Sequence, residues 1–299
     1  MSQILSVALV VNPNAGKQKI IEELDHIEET LLKHFQKVET FQTKGPEEVD
    51  DLIDSIHQTY DLIIGAGGDG TIYQLANALS RLNHRPVFAV LPGGTANDFS
   101  RALGMSQDPL EALDQIIQCH IEPIDIGYDG DQYFLNFWGI GLITTVSQQV
   151  NNKDSLGRLS YYLSTLQNMK EAKPFHVKIE SDEFHFDGEA VMVLVGNSPF
   201  TGGVRAFFPS NNLQDGTFDV LIIKQSTMPS FIEMFRSRLQ QAPPEHEDLV
   251  YGQAKKIRVV TEPNLEIDCD GERRFTTPST IVNLPQHLQL VVGDFKSQT

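Results

Sequence analysis

Asp61-Leu-Ile-Ile-Gly-Ala-Gly67-Gly68-Asp69-Gly70-Thr71 and Val87-Phe-Ala-Val-Leu-Pro-Gly93-Gly94-Thr95-Ala-Asn97-Asp98-Phe99 are two apolar runs, each closed by a glycine-rich turn. Both runs have the length and residue types of strands buried on two faces in a parallel sheet. Helical spacing follows the first turn, with Ile72, Leu75, Ala76, Leu79 and Leu82 on one side. A strand, a glycine turn and a helix N-terminus together form an anion cradle. Backbone N–H groups point outward, the helix dipole favours negative charge, and missing Cβ atoms let a phosphate approach. Two cradles on adjacent strands suggest a polyphosphate, most simply a nucleotide.

Working outward from these turns, the first part of the chain alternates strand and helix. Ile4–Val11 reads as a strand, and Ile20, Leu24, Ile27, Leu31 and Phe35 line one helix face. Val38–Thr43 is a second strand; Pro46 opens a helix carrying Val49, Ile53 and Ile56 on one face, and Leu110, Leu113 and Ile117 mark a later one. Such repetition predicts a parallel sheet with helices on both faces. The pattern changes near residue 122. Ile124–Tyr128 and Tyr133–Trp138 flank Asp129-Gly130, a hairpin signal, and Asp187-Gly188 and Asp215-Gly216 read as further turns. Alternating strands follow at Phe175/Val177/Ile179, Phe184/Phe186, Val191–Val195, Lys256–Val260 and Leu265–Cys269, with helical spacing around Leu142–Val150, Tyr161–Met169 and Met228–Leu239. This half reads as an antiparallel β domain with inserted helices. Gln241–Asp248 reads as a surface loop.

Composition narrows the functional classes. The 299 residues suffice for two domains or one large α/β domain, and 40% are hydrophobic. The net charge of -17 argues against nucleic-acid binding, which needs a basic face. Cys119 and Cys269 lie far apart without CxxC or CxxH neighbours, so neither a disulfide nor a zinc site is expected, and a reducing cytoplasm fits. The nine histidines lack metal-ligand spacing. The apolar N-terminal stretch reads as a first strand rather than a signal peptide. No run approaches the ~20 apolar residues of a membrane span, so any membrane contact is expected to be peripheral.

Gly65-Ala-Gly67-Gly-Asp-Gly70 matches G-x-G-x-x-G in a strand-turn-helix context. A dinucleotide site would add an acidic residue about 20 positions on. Here no Asp or Glu lies between Asp69 and Asp98, which argues against a dehydrogenase. Asn12-Pro-Asn-Ala-Gly16-Lys17-Gln18 lacks the P-loop spacing G-x-x-x-x-G-K-[ST]. Asp69 is the unusual residue of its turn, because a carboxylate beside a phosphate is repulsive unless a cation such as Mg²⁺ offsets it. An Asx turn or an N-cap for a helix opening at Thr71 is the plainer alternative. Between two phosphate-type turns the catalytic reading is favoured.

Asn12-Pro-Asn-Ala-Gly-Lys17, Gly67-Gly-Asp-Gly-Thr71, Leu91-Pro-Gly-Gly-Thr-Ala-Asn-Asp98, Gly202-Gly203, Pro209, Asp215-Gly-Thr-Phe-Asp219 and Asp270-Gly-Glu272 run in order along nearly the whole chain. Together they resemble the diacylglycerol kinase catalytic family, which includes soluble bacterial lipid kinases, sphingosine kinases and ceramide kinases. The first turn is shared with NAD kinases; the second resembles the lipid kinases specifically. The resemblance implies a phosphofructokinase-like N-terminal α/β domain over 1–124, completed by a return of the chain over 286–299, and a C-terminal β-sandwich over 125–285. It implies ATP between the two, contacted by Asn12, Lys17, Thr43, Gly67, Gly68, Asp69, Gly70, Thr71 and Thr95. It further implies a structural Mg²⁺ on the turn Asn212–Thr217, held by the Asp215 carboxylate and by backbone carbonyls of Asn212 and Thr217. Read without the resemblance, Asp215-Gly216 is an ordinary β-turn and Asp270-Gly271 an ordinary hairpin turn. With it, the latter turn carries the general base, either Asp270 or Glu272, with Glu272 slightly ahead. One departure stands out: family members commonly have Asn then Glu where this chain has Tyr73 and Gln74. The lost carboxylate would weaken metal or adenosine contacts.

The expectation is therefore an ATP- and Mg²⁺-dependent kinase phosphorylating a hydroxyl of diacylglycerol or a related lipid, cytoplasmic and peripheral at the membrane surface. Homodimer formation is left open. Candidate lipid contacts are Phe231, Ile232, Met234, Phe235 and Leu239 beside Arg236 and Arg238, or Phe200, Phe207 and Phe208; Trp138 is assigned to the core. The alternatives are an NAD kinase and a non-catalytic lipid- or nucleotide-binding regulator, the latter suggested by Tyr73 and Gln74.

Overall fold

The computed structural model describes residues 4–13, 19–43, 45, 47–144, 173–201, 204–205, 208, 212–225, 227–272 and 275–295. Contacts divide the chain into two units, Met1–Ile124 with Gln286–Thr299 and Asp125–Pro285.

The first unit is built on four parallel strands, β1 (Ser6–Val11), β2 (Lys37–Gln42), β3 (Leu62–Gly67) and β4 (Val87–Pro92), in the order β2-β1-β3-β4. All six residues of β3 are buried, as expected of a central strand covered on both faces. The helices are α1 (Lys19–Glu22), α2 (Leu24–His34), α3 (Glu47–Ile56), α4 (Asp69–Ser80), α5 (Asp98–Ala102) and α6 (Pro109–Gln118). The face running from Ile20 to Phe35 is interrupted at Glu23, so the single helix expected there is two. Asp108 caps α6, accepting from Leu110 N–H at 3.0 Å, and Pro109 supplies a preset first turn. The end of the chain returns to this unit: Leu290 pairs parallel with Phe88, and Val292 N–H donates to the His120 carbonyl.

His287 on this returning segment is half-buried, with Nε2 3.1 Å from the Ser80 carbonyl. Burial, aided by the Arg85 charge, holds its pKa below the ordinary 6.5. The unfolded chain then binds a proton that the folded chain resists, so this residue removes stability as pH falls through the 6.5 region. His287→Gln is expected to flatten the drop in melting temperature between neutral and mildly acidic buffer. An unchanged slope would remove His287 as its source.

The second unit comprises β5 (Ile121–Tyr128, entering from the first unit), β6 (Tyr133–Phe134), β7 (Phe137–Gly141), β8 (Phe175–Glu180), β9 (His185–Ala190), β10 (Met192–Gly196), β11 (Phe200–Thr201), β12 (Val204–Arg205), β13 (Phe218–Ile223), β14 (Leu249–Ala254), β15 (Lys256–Glu262), β16 (Ile267–Cys269) and β17 (Ser279–Val291, whose end joins the first unit). One antiparallel sheet has the order β14-β13-β10-β7-β16; in the other, β17, β15, β8 and β9 are neighbours, and β5 pairs with β17 and β6. The fold is thus an N-terminal α/β domain followed by a C-terminal β-sandwich. Helix α7 (Met228–Gln240) buries Met234 against Leu221, Ile223 and Leu249. Trp138 is fully buried, as assigned.

Two expectations are corrected. Asp187-Gly188 is not a turn but lies within β9, where Lys178 pairs with Asp187 and Val177 with Gly188. The run Tyr133–Trp138 is not one strand: β6 pairs with β5, β7 belongs to the other sheet, and the chain crosses between sheets at Leu135-Asn136. The expected helices over Leu142–Val150 and Tyr161–Met169 fall almost wholly outside the described residues, which include one helical turn at 142–144.

Candidate active site

Parallel strands β2, β1, β3 and β4 end side by side, so Thr43, Asn12, Gly68–Thr71 and Gly93–Thr95 all gather at the carboxyl edge of one sheet. That edge is where open α/β sheets bind ligands. The two glycine turns are in backbone contact. Gly67 pairs with Pro92, and Gly93 N–H donates to the Gly67 carbonyl at 2.8 Å. A Cβ on Gly94 would stand 2.7 Å from the Gly68 Cα, so no side chain fits between the turns. Asn97, left-handed at φ 51°, closes the second turn: its Oδ1 accepts from Gly94 N–H at 2.8 Å and its Nδ2 donates to the Gly94 carbonyl at 3.1 Å.

Asp69 links the turns. Its Oδ2 accepts from Asn97 N–H at 2.9 Å and its Oδ1 from Asp98 N–H at 2.7 Å, which caps α5. The plainer expectation of a cap for its own helix is corrected, because Gly68 occupies that N-cap position and the Asp69 carboxylate serves the neighbouring helix. Asn12 joins the first turn, donating from Nδ2 to Thr71 Oγ1 at 3.3 Å and from N–H to the Ala66 carbonyl at 3.3 Å. Thr43 is buried, with its N–H on the Val11 carbonyl at 3.0 Å; Gly70 and Thr95 are exposed. Lys17 lies outside the described residues. Tyr73 is buried in the core and Gln74 half-buried.

In the second unit, the turn Asn212–Thr217 is ordered by its own side chains. Asp215 Oδ1 accepts from both the N–H and the Oγ1 of Thr217 at 2.9 Å, and Asn212 Oδ1 accepts from Gln214 N–H at 3.0 Å. Asp125, missed from the sequence, joins them: its buried carboxylate accepts from Gly216 N–H at 2.6 Å and its N–H donates to the Leu213 carbonyl at 2.7 Å. Its only signal was a carboxylate within the apolar run Ile124–Tyr128. The Thr217 carbonyl accepts from Asn283 Nδ2 at 3.3 Å. Carboxylate and carbonyl oxygens are the donor set Mg²⁺ takes, usually completed by water, so the residues fit that ion. No group of three or more His, Cys, Asp or Glu side chains among the described residues could hold a metal.

The third element is the hairpin turn between Cys269 and Glu272, which exchange both backbone hydrogen bonds at 2.8 and 2.9 Å. Asp270 and Gly271 have φ of 52° and 93°, the left-handed pair that a two-residue hairpin demands. Glu272 is half-buried. The Asp270 carboxylate accepts three backbone N–H groups, Leu135 on Oδ2 at 2.6 Å and Asn136 and Phe137 on Oδ1 at 2.9 Å. Burial pushes its pKa up to about 7 against the opposing pull of those three donors. Cys269 is fully buried, and burial with the neighbouring Asp129, Asp270 and Asp268 raises its thiol well above the ordinary range.

Of the expected lipid contacts, Ile232 and Leu239 are exposed at 64% and 83%, whereas Met234 is core. Arg236 is engaged by Glu233, with Nε 2.9 Å from a carboxylate oxygen. Phe208 is buried and Phe200 half-buried. Phe207 and the side chains of Phe231, Phe235 and Arg238 lie outside the described residues.

The α/β unit with paired glycine turns and the β-sandwich that follows it each match a known domain. Residues 6–128 match the diacylglycerol kinase catalytic domain, and residues 138–292 match the YegS C-terminal NAD kinase beta sandwich-like domain. A diacylglycerol kinase of Bacillus subtilis (strain 168) is 33% identical over 297 residues, covering 97% of each chain. One from Staphylococcus aureus (strain MRSA252) is 30% identical over 94% of this chain and 90% of its own. A crystal structure of a diacylglycerol kinase from Bacillus anthracis str. Sterne superimposes with a TM-score of 0.85 at 35% identity, covering 98% of this chain and 99% of that one. The chain belongs to the diacylglycerol kinase family.

Proposed function

We propose that this kinase transfers the γ-phosphoryl group of ATP to a hydroxyl of diacylglycerol or a related lipid, working peripherally at a membrane surface. The observation that carries the reading is the backbone contact of two glycine turns, tied by Asp69, at the carboxyl edge of one sheet. The first turn and the N-terminus of α4 present N–H groups to the phosphates, with Asn12, Thr43, Thr71, Thr95 and Lys17 as further nucleotide contacts; the Gly93 and Gly94 N–H groups are taken by the Gly67 carbonyl and Asn97 Oδ1 and hold the second turn in place. Glu272 accepts the proton of the acceptor hydroxyl as that oxygen bonds to the γ-phosphorus and the bond to the β-phosphate oxygen breaks, releasing ADP. Mg²⁺, when bound, neutralises charge developing on the phosphoryl oxygens, and Asp69 is the residue to hold it through water. No helix among the described residues is long and apolar enough to cross a membrane.

Incubation with labelled ATP, Mg²⁺, a total lipid extract and NAD tests the reading. Label should move to lipid. Label on NAD would favour the alternative suggested by the sandwich's likeness to NAD kinases, and label on neither would leave a binding protein.

Two substitutions probe the parts separately. Gly94→Ala places a methyl 2.7 Å from the Gly68 Cα, where only backbone could yield. Overpacking of that kind costs ~1–3 kcal/mol of stability, so the melting temperature should fall, and nucleotide affinity measured by calorimetry should fall as the two turns are pushed apart. Unchanged affinity would mean the contact between the turns is not part of the nucleotide site. Asp215→Asn should abolish a rise in melting temperature on adding Mg²⁺ to the parent. If the parent itself shows no such rise, the turn holds no structural Mg²⁺.

A further inference from the structure

Asp270 occupies the turn that presents Glu272, yet its carboxylate is committed elsewhere. Leu135 and Asn136 lie between the two ladders and Phe137 opens β7, and the N–H groups of all three fall on Asp270. The Asp270 N–H in turn donates to the Phe137 carbonyl at 3.1 Å, so backbone and side chain grip the same segment. Anchorage nearby is short: β16 has three residues, paired with β7, and Gly271 N–H is held on Asp268 Oδ1 at 2.8 Å. A general base must offer a lone pair to the acceptor hydroxyl and then carry its proton. Three N–H donors hold the Asp270 carboxylate on the backbone of Leu135, Asn136 and Phe137, so its lone pairs serve that segment rather than an acceptor hydroxyl.

We propose that Asp270 is a positioning residue: it clamps the Cys269–Glu272 turn onto the Leu135–Phe137 crossing and so fixes where the Glu272 carboxylate stands. This rests on the lipid-kinase reading above, with Glu272 as the base. It accounts for an Asp at a left-handed position where Asn or Gly would serve the turn equally well.

The test uses the full chain as parent, Asp270→Asn and Glu272→Gln. In Asp270→Asn an amide N–H₂ must face at least one N–H donor. Amide exchange at 135–137 should accelerate at least roughly tenfold. The kcat for lipid phosphorylation should fall by about two orders of magnitude while the KM for ATP stays within about twofold. Unchanged exchange overturns the clamp, and a parental kcat overturns its role in positioning. An inactive Asp270→Asn together with a fully active Glu272→Gln makes Asp270 the base and overturns the proposal. If Asp270→Asn does not fold, Asp270→Glu keeps the charge on a longer arm: a lowered kcat with protected amides supports the clamp, and a parental kcat overturns it. A parent that moves no phosphate to lipid overturns the proposed function and the positioning role together, while the exchange result still reports whether the clamp exists.

Discussion

Asp69→Ala is expected to reduce phosphoryl transfer by at least roughly two to three orders of magnitude, the usual loss when one pre-aligned electrostatic group leaves an active site. Two effects add. The N–H groups of Asn97 and Asp98 lose their acceptor, at about 1–3 kcal/mol for each group left unsatisfied, and the second glycine turn loosens against the first. The carboxylate that would hold a nucleotide-bound Mg²⁺ through water is lost as well. Asp69→Asn keeps part of the first effect and none of the second, because its amide accepts one N–H, sets its N–H₂ against the other and carries no charge. Its nucleotide binding without metal should fall less than that of Asp69→Ala while its activation by Mg²⁺ is lost. The far-ultraviolet circular dichroism of both variants should match the parent, since β3 and β4 are held by their ladder and by apolar burial. Turnover of Asp69→Ala within a few-fold of parental would sink the catalytic assignment.

Features decided by neighbours in sequence were legible. The apolar run Leu62–Gly67 is a fully buried parallel strand, and the alternation Phe175/Val177/Ile179 is a half-buried one. Gly130, at φ 101°, sits in the hairpin that Asp129-Gly130 announced. The same dipeptide at Asp187-Gly188 misled, because pairing with β8 overrides a local turn preference. Tyr133–Trp138 misled for a related reason: nothing within the run marks the crossing at Leu135-Asn136, whose N–H groups are satisfied by a carboxylate 133–135 residues away. The site divides along the same line. Glycine turns advertise themselves, since missing Cβ atoms are visible in the sequence. What Asp69, Asp125 and Asp270 do depends on partners 28–29, 91 and 133–135 residues distant, and a carboxylate gives no sign of which N–H groups will find it. Resemblance located Asp69 and Asp270 in motifs and passed over Asp125. The hydrogen bonds reveal that each also holds backbone in place.

Glu272→Gln should retain nucleotide binding and lose transfer. The amide is nearly isosteric, the backbone bonds between Cys269 and residue 272 do not involve the side chain, and the turn is otherwise fixed by Asp270. The amide cannot take up the acceptor proton, so transfer to lipid should fall by roughly two to four orders of magnitude, the size of a general-base contribution. The loss should lie in kcat with little change in the KM for ATP, because a base acts in the transition state rather than in holding the nucleotide. The double variant with Asp270→Asn should be little worse than Glu272→Gln alone, since a clamp has nothing left to position once the base is gone and residues acting as a unit are not additive. A double variant that still phosphorylates lipid at the parental rate would reduce the turn to a hairpin and place the base elsewhere.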